Sequence, residues 1–135
     1  MGKSRVILLD SHVVLWLAEG STKLSSNAGA AMHRARQNQE ALAICDITLA
    51  ELAIAYAKQR FHLTVPLDEF LAQTVSRFVV LPITARACVR ILSFPASFPR
   101  DPADRMIAAT ALDQGLPLVT ADRAIRKSRA VPTIW

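Results

Sequence analysis

The feature that most constrains the fold of this chain is a series of short, continuous apolar runs. They are RVILLD (5–10), ALAICD (41–46), FVVLPI (78–83), LPLVTAD (116–122) and a shorter fifth run, VPTIW (131–135). A strand with one face in water alternates apolar and polar residues, whereas a strand buried on both faces is apolar throughout. The runs therefore predict strands of a parallel sheet that is covered on both faces.

Helical patterns separate these runs. They are expected at 12–20, 25–39, 48–60, 67–77, 84–93 and 103–115. Gly20 and Gly115 follow two of these patterns as C-terminal stops, and Thr84 precedes another as an N-cap. Alternation of strand and helix predicts an α/β domain with a central parallel sheet of four to five strands and right-handed crossovers. We find no repeat and no interdomain linker, so residues 1–135 are expected to form a single domain.

The composition narrows the class of protein. Apolar residues make up 52% of the chain, which excludes disorder, and the net charge of +5 weakly indicates a polyanionic partner. Cys45 and Cys88 lie far apart in apolar surroundings and are interpreted as buried thiols of a reducing compartment, so a cytoplasmic location is expected. No segment approaches the roughly 18 uncharged apolar residues of a membrane helix, so no membrane association is expected.

Acidic residues stand at the ends of several predicted elements. Asp10 ends the first strand and Asp122 follows the fourth, while Glu51 and Asp104 are expected in the first turns of two helices. The carboxyl ends of parallel strands open on one edge of the sheet, where ligands of open α/β sheets bind. The sequence therefore predicts that these four carboxylates converge on that edge.

Each acid also has an ordinary structural role available to it. Asp101 is a good N-cap before Pro102, Asp104 suits the positive end of a helix, and Thr48-x-x-Glu51 matches a capping box. Asp122 would cap the last short helix, and Asp10 would be a turn residue at the end of a strand. These roles stay open for each residue taken singly.

Taken together, the acids indicate more than helix capping. Like charges about 5 Å apart repel by roughly 3 kcal/mol at an effective dielectric constant near 20. Three or four converging carboxylates therefore need raised pKa values or a bound cation, and an all-oxygen site suits Mg²⁺ or Mn²⁺.

Other kinds of catalytic site find no support. The chain contains no glycine-rich phosphate loop, no H-E-x-x-H, no C-x-x-C and no G-x-S-x-G, and its three histidines show no ligand spacing. His12 lies beside Asp10, but a structural role is favoured for it. Metal-assisted hydrolysis is the chemistry that remains.

Four segments, in this order, resemble the PIN-domain nucleases and specifically the ribonuclease toxins of the VapC type. They are LLDSHVVLWL (8–17), ITLAELAI (47–54), RDPADRMIAATAL (100–112) and LVTAD (118–122). The resemblance covers essentially the whole chain. It implies a PIN-like α/β/α sandwich around the parallel sheet.

The resemblance also implies site residues. The catalytic, metal-binding acids of the family fall on Asp10, Glu51, Asp104 and Asp122. Three further positions would support the site: Thr120 helps to shape it, Ser11 retains a hydroxyl where Thr is more usual, and Asp101 is a cap first and a ligand second. Two departures are Ala50, where many relatives carry Trp, and Pro99, where His is frequent.

The activity that the resemblance implies is that of an Mg²⁺- or Mn²⁺-dependent endoribonuclease. Such toxins cut structured RNA, often transfer or ribosomal RNA, and stop translation. A cognate antitoxin protein inhibits them by inserting a segment into the acidic groove, and they form homodimers or toxin–antitoxin hetero-oligomers. Arg100, Arg105 and Arg123 flank the acids and are candidates for binding RNA phosphates, although Arg105 could equally pair with Asp101.

Two alternatives come from other functional classes. A phosphoacceptor signalling domain places acids at the same sheet edge, but it needs a lysine after the last strand, and VPTIW (131–135) has none. A non-catalytic RNA- or protein-binding α/β module would use the acids only as helix caps. Metal-dependent cleavage of RNA distinguishes this second alternative from a nuclease.

Overall fold

The computed structural model describes residues 6–135, which form an α/β/α sandwich. The elements are β1 (Ile7–Leu9), α1 (Ser11–Glu19), α2 (Ser26–Gln37), β2 (Leu42–Cys45), α3 (Asp46–Ala57), α4 (Leu67–Arg77), β3 (Val79–Leu81), α5 (Ala85–Arg90), a 3₁₀ turn (Ile91–Ser93), α6 (Pro102–Gln114), β4 (Leu118–Val119), α7 (Arg123–Ser128) and β5 (Thr133–Ile134). The five predicted apolar runs each contain one strand. Residue 5, where the first run begins, lies outside the described residues.

The five strands form one parallel sheet in the order β3-β2-β1-β4-β5. The prediction of a parallel α/β fold is thereby confirmed. The chain runs outward from β1 through β2 to β3 and then returns to place β4 on the other side of β1. The carboxyl ends of β1 and β4 therefore flank the point where the strand order reverses, which is where α/β sheets bind ligands.

Each face of the sheet is covered by its own apolar core. Leu9, Ile44 and Val119 face one cluster, which α1 to α4 complete. Leu8, Ala43 and Leu118 face the other, which α6, α7 and Phe98 complete. Alternate residues of one strand thus enter different cores, which explains why the runs are apolar at every position.

Most helix ends agree with the predicted signals, but one does not. Gly20 and Gly115 take the left-handed conformation, with φ of +64° and +67°, and end α1 and α6. The capping box predicted at Thr48 and Glu51 is wrong, because α3 already begins at Asp46. A carboxylate oxygen of Asp46 accepts the N–H of Ile83 at 3.3 Å. Glu51 consequently lies in the second turn of α3 and not in the first.

Two predictions of burial are also wrong. Val79 in β3 is 47% exposed because β3 is an edge strand, with a neighbouring strand on one side and none on the other. Cys88 is exposed on α5, whereas Cys45 is buried as expected. Within residues 6–135, the helices are all too short or too polar to cross a lipid bilayer.

Candidate active site

Asp10 lies at the centre of the acidic edge and is almost fully buried, with 3% of its surface exposed. It follows β1 directly and is the N-cap of α1, where its Oδ1 accepts the N–H of Ser11 at 2.8 Å. Its Oδ2 accepts the hydroxyl of Thr120 at 2.7 Å. Both oxygens are therefore fixed in direction before any ligand is present.

Thr120 links Asp10 to Asp122. Leu9 pairs with Val119 in the parallel ladder, so the next residues along the two strands, Asp10 and Thr120, lie side by side. The buried Thr120 hydroxyl donates to Asp10 and accepts the N–H of Asp122 at 3.1 Å. Asp122 in turn caps α7 by accepting the N–H of Ile125 at 3.0 Å.

Glu51 reaches the site from α3 through a network of hydroxyl groups. Ser11 donates its hydroxyl to Glu51 Oε1 at 2.6 Å and lies 2.9 Å from the hydroxyl of Thr48. Burial raises the pKa of Glu51, the bond from Ser11 lowers it, and the charges of Asp10 and Asp101 raise it again. The role of Thr48 was missed, because a buried hydroxyl inside a helix leaves no signal in a single sequence.

Asp104 lies in the first turn of α6, behind the N-cap Asp101. Asp101 accepts the N–H of Ala103 at 2.8 Å, as expected of a cap. The pKa of Asp104 is raised to about 7 by burial and by the negative charges of Asp10, Asp101, Asp122 and Glu51. The negative charges of all four other acids thus disfavour the ionised form of Asp104, whereas the helix N-terminus alone would stabilise that form.

No lysine or arginine within the described residues 6–135 forms an ion pair with this group of five acids. Among residues 6–135, their one ion-pair contact is between Asp10 Oδ2 and His12 Nδ1, 3.6 Å apart. The donor set consists of hard oxygens, which fits Mg²⁺ or Mn²⁺ in chemistry and in charge. Within the same residues, no three acidic, histidine or cysteine side chains converge closely enough to enclose an ion. The acids therefore lie close enough to repel one another, but within these residues they do not enclose an ion.

His12 joins the two loops that carry Asp10 and Asp122. Its Nε2 accepts the N–H of Ala121 at 2.9 Å. Its ring lies against Trp16, with ring centroids 5.0 Å apart, and Trp16 lies against Trp135. The favoured interpretation of His12 as a structural residue did not anticipate that it would contact both loops of the site.

The three candidate arginines differ in their surroundings. Arg100 and Arg123 are exposed beside the acidic edge. Arg105 instead donates to the carbonyl oxygens of Pro99 at 2.9 Å and Phe98 at 3.3 Å, and its guanidinium lies over the ring of Phe98. These contacts hold the irregular segment before α6, and the alternative pairing of Arg105 with Asp101 is not formed.

Comparison with known proteins identifies the family. The family model described as "PIN domain" matches residues 7–130. The chain is 37% identical over 131 residues to Ribonuclease VapC22 of Mycobacterium tuberculosis strain H37Rv, covering 96% of this chain and 98% of that protein.

Solved structures show the same fold at lower sequence identity. VapBC2 of Rickettsia felis, bound to a DNA fragment from its promoter, matches with a TM-score of 0.70 and 16% identity, over 95% of this chain and 96% of that chain. DNA-bound VapBC of Salmonella typhimurium matches with a TM-score of 0.64 and 22% identity, over 97% of both chains. These likenesses confirm the α/β/α architecture. With the family-model match and the 37% identical relative, they show that this chain belongs to the PIN domain family, among its VapC members.

Proposed function

We propose that this chain is a divalent-metal-dependent endoribonuclease and the toxin of a toxin–antitoxin pair, acting on structured RNA such as transfer or ribosomal RNA to inhibit translation. The observation that carries the proposal is the position of Asp104 at the strand-order switch, where its half-buried carboxylate has a pKa that burial and the charges of four other acids raise to about 7. The 37% identical relative is named a ribonuclease. A cytoplasmic location and a single domain over residues 1–135 remain predictions.

Asp10, Glu51, Asp104 and Asp122 would hold the Mg²⁺ or Mn²⁺, with Ser11, Thr120 and Asp101 in support. When bound, such an ion lowers the pKa of a water molecule and stabilises negative charge on phosphate oxygens. Asp10 is oriented by Ser11 and Thr120, and Glu51 by Ser11. Asp104 would be ionised in the metal-bound protein, because the charge of the cation offsets the negative charges of the neighbouring acids.

The arginines beside the site are proposed to position the RNA. Arg100 and Arg123 are exposed at the same edge as the acids and would contact phosphates on either side of the cleaved bond. Arg105 is engaged with two backbone carbonyl oxygens, so its contribution would be to hold the loop next to the substrate. Binding through such contacts should weaken as the salt concentration rises.

The non-catalytic alternative is favoured by one observation, because three of the acids do cap helices. Asp10, Asp101 and Asp122 each accept a backbone N–H at a helix N-terminus. Capping does not account for Glu51, which lies in the second turn of α3, or for Asp104, which accepts no such bond. These two residues support the nuclease over a module that only binds.

Metal dependence gives the first test. Purified protein is expected to cleave total cellular RNA in Mg²⁺ or Mn²⁺ and to lose that activity in excess EDTA, because the carboxylates of the site would act through a bound cation. Activity should return when Mn²⁺ is added back beyond the chelator. Cleavage that continues undiminished in EDTA would contradict the metal mechanism, and no cleavage under any condition would favour the non-catalytic module.

The partner gives the second test. Two of the solved structures with this fold are VapBC proteins, and another, from Klebsiella pneumoniae, is described as a toxin–antitoxin complex. We expect the small open reading frame beside this gene to encode an antitoxin that inserts an arginine or another basic side chain into the acidic groove, since no lysine or arginine of residues 6–135 pairs with the five acids there. Co-expression should yield a complex on gel filtration that does not cut RNA, and the toxin is expected to occur as a homodimer or as a toxin–antitoxin hetero-oligomer. Separate elution, or a complex that cuts RNA at the full rate, would count against this partner.

A further inference from the structure

The imidazole of His12 is held in one tautomer by the backbone. A backbone N–H can only donate, and the N–H of Ala121 points at Nε2 from 2.9 Å. Nε2 must therefore carry a lone pair, which places the ring proton on Nδ1 in the neutral form. His12 in this arrangement is a hydrogen-bond acceptor through Nε2.

The other side of the ring faces the site. Nδ1 lies 3.6 Å from Asp10 Oδ2, the oxygen that also accepts the Thr120 hydroxyl. This distance is too long for a hydrogen bond, but it places the Nδ1 edge of the ring next to the carboxylate. His12 thus contacts the β1–α1 junction through one nitrogen and the β4–α7 junction through the other.

The segment that His12 contacts is short and carries Asp122. Three residues, 120 to 122, separate β4 from α7. The N–H of Thr120 is bound by Ile134 in the sheet, and the N–H of Asp122 by the Thr120 hydroxyl. The Ala121 peptide lies between them, with its N–H bound by His12 and its carbonyl 3.4 Å from Arg126 Nη2.

The ring itself is held in place by aromatic packing. Trp16 lies one turn further along α1, at the i+4 position, and its ring packs on that of His12. Trp135 and Lys23 pack on Trp16 in turn, at 5.9 Å and 5.6 Å. The imidazole therefore has a defined orientation although 30% of the side chain is exposed.

We propose that His12 is a positioning residue that fixes Asp122 relative to Asp10 by accepting the Ala121 N–H. This inference rests on the proposed function at one point only, which is the reason why the two acids need to be held in place. His12 binds neither substrate nor cation in this role. Its contribution is to keep the β4–α7 junction at a set distance from the start of α1.

The first part of the test uses metal-free protein. Imidazole ¹⁵N spectra of wild type should show Nδ1 protonated and Nε2 unprotonated. Hydrogen exchange at the Ala121 amide should be slow in wild type, at least about tenfold faster in His12→Leu, and near wild type in His12→Gln, whose amide oxygen can accept the same N–H. His33→Leu, on the exposed face of α2, is the matched control and should leave Ala121 unchanged.

The second part measures Mn²⁺ binding by calorimetry and RNA cleavage kinetics. His12→Leu should weaken Mn²⁺ binding and lower kcat by about 10- to 100-fold with KM for RNA unchanged, and His12→Gln should recover most of both. Thermal melting of each variant separates this effect from misfolding. An Nε2-protonated ring, or His12→Leu with unchanged Ala121 exchange and Mn²⁺ affinity, would overturn the proposal. If wild type neither binds Mn²⁺ nor cuts RNA, the proposed function fails, and the tautomer and exchange results still decide whether His12 holds the loop.

Discussion

Asp104→Asn is expected to lower the single-turnover rate of RNA cleavage by about 100-fold or more while stabilising the metal-free protein at pH 8. The two effects have one cause, which is the concentration of negative charge around Asp104. The asparagine removes a ligand, so cation affinity falls, and it also removes a charge that Asp10, Asp101, Asp122 and Glu51 repel. A residue that served only the helix dipole would show the reverse, with lower stability and intact activity.

The stabilisation should depend on pH in a defined direction. Burial and the neighbouring acids raise the pKa of Asp104 from its ordinary value of 3.8 to about 7 in the folded protein, so folding favours its neutral form. The penalty for ionised Asp104 is absent below the unfolded pKa, grows between pH 4 and pH 7 and is complete above the folded pKa. Asp104→Asn should therefore raise the free energy of unfolding by about 1 kcal/mol at pH 8, after allowance for solvent screening, and by much less at pH 4.

Melting temperatures in EDTA at pH 4, 5 and 8, with cleavage rates at saturating Mg²⁺, measure both effects. Glu69→Gln is the matched control, since Glu69 holds the corresponding position in the first turn of α4 but is exposed and away from the cluster. The Glu69→Gln variant should lose a few tenths of a kcal/mol to about 1 kcal/mol of unfolding free energy and keep full activity. An Asp104→Asn protein that is destabilised at pH 8 and fully active would return Asp104 to the role of a helix-dipole acid.

Phe98→Ala is expected to produce the largest loss of stability, about 3–5 kcal/mol. Phe98 is 1% exposed and packs in the core beneath α6, with its ring stacked on Phe94 at 4.5 Å between centroids. Arg105 lies over the same ring and binds the Phe98 carbonyl oxygen. Truncation would leave a cavity and release the segment that leads into Asp101 and Asp104.

Urea denaturation of wild type and Phe98→Ala measures this loss as a lower midpoint with an unchanged slope. The free energy of unfolding of a domain of this size is roughly 5–15 kcal/mol in total, so the variant should be only marginally stable at 37 °C. Leu92→Ala is the control from the same region, because Leu92 is 85% exposed and its loss should change stability by less than about 0.5 kcal/mol. A loss below 1 kcal/mol for Phe98→Ala would mean that the segment before α6 is not anchored through this ring.

The layered fold could be predicted because its signals are local. The apolar runs gave the strands, and Gly20 and Gly115 marked the ends of α1 and α6 where the structure has them. The failures come from contacts that are not local. Thr48 is a good capping residue, but α3 begins two residues before it, at Asp46, whose carboxylate accepts the N–H of Ile83, which is distant in sequence. Val79 belongs to a run that is as apolar as a central strand, but β3 lies at the edge of the sheet. Only the order of the strands in the folded sheet shows this.

The acids of the candidate site could be placed on one edge from sequence, because strand ends are shared by all parallel strands. Their interactions could not be predicted in the same way. The bonds from Ser11 to Glu51, from Thr120 to Asp10 and from Ala121 to His12 span 40, 110 and 109 residues. Such contacts depend on side-chain rotamers and on register, neither of which periodicity encodes. Whether the four acids bind metal stays a prediction.

In two of the capping aspartates described above, the two carboxylate oxygens have different roles. In Asp122 and Asp101, Oδ1 is bound to a helix N-terminus, while Oδ2 makes no hydrogen bond within the described residues. The rotamer is therefore frozen by folding, so a ligand that meets Oδ2 loses little further conformational entropy on binding. The same geometry makes the length of the side chain matter as well as its charge. A glutamate would keep the charge but is not among the side chains that cap a helix well, so replacing Asp101 or Asp122 by glutamate would weaken the cap.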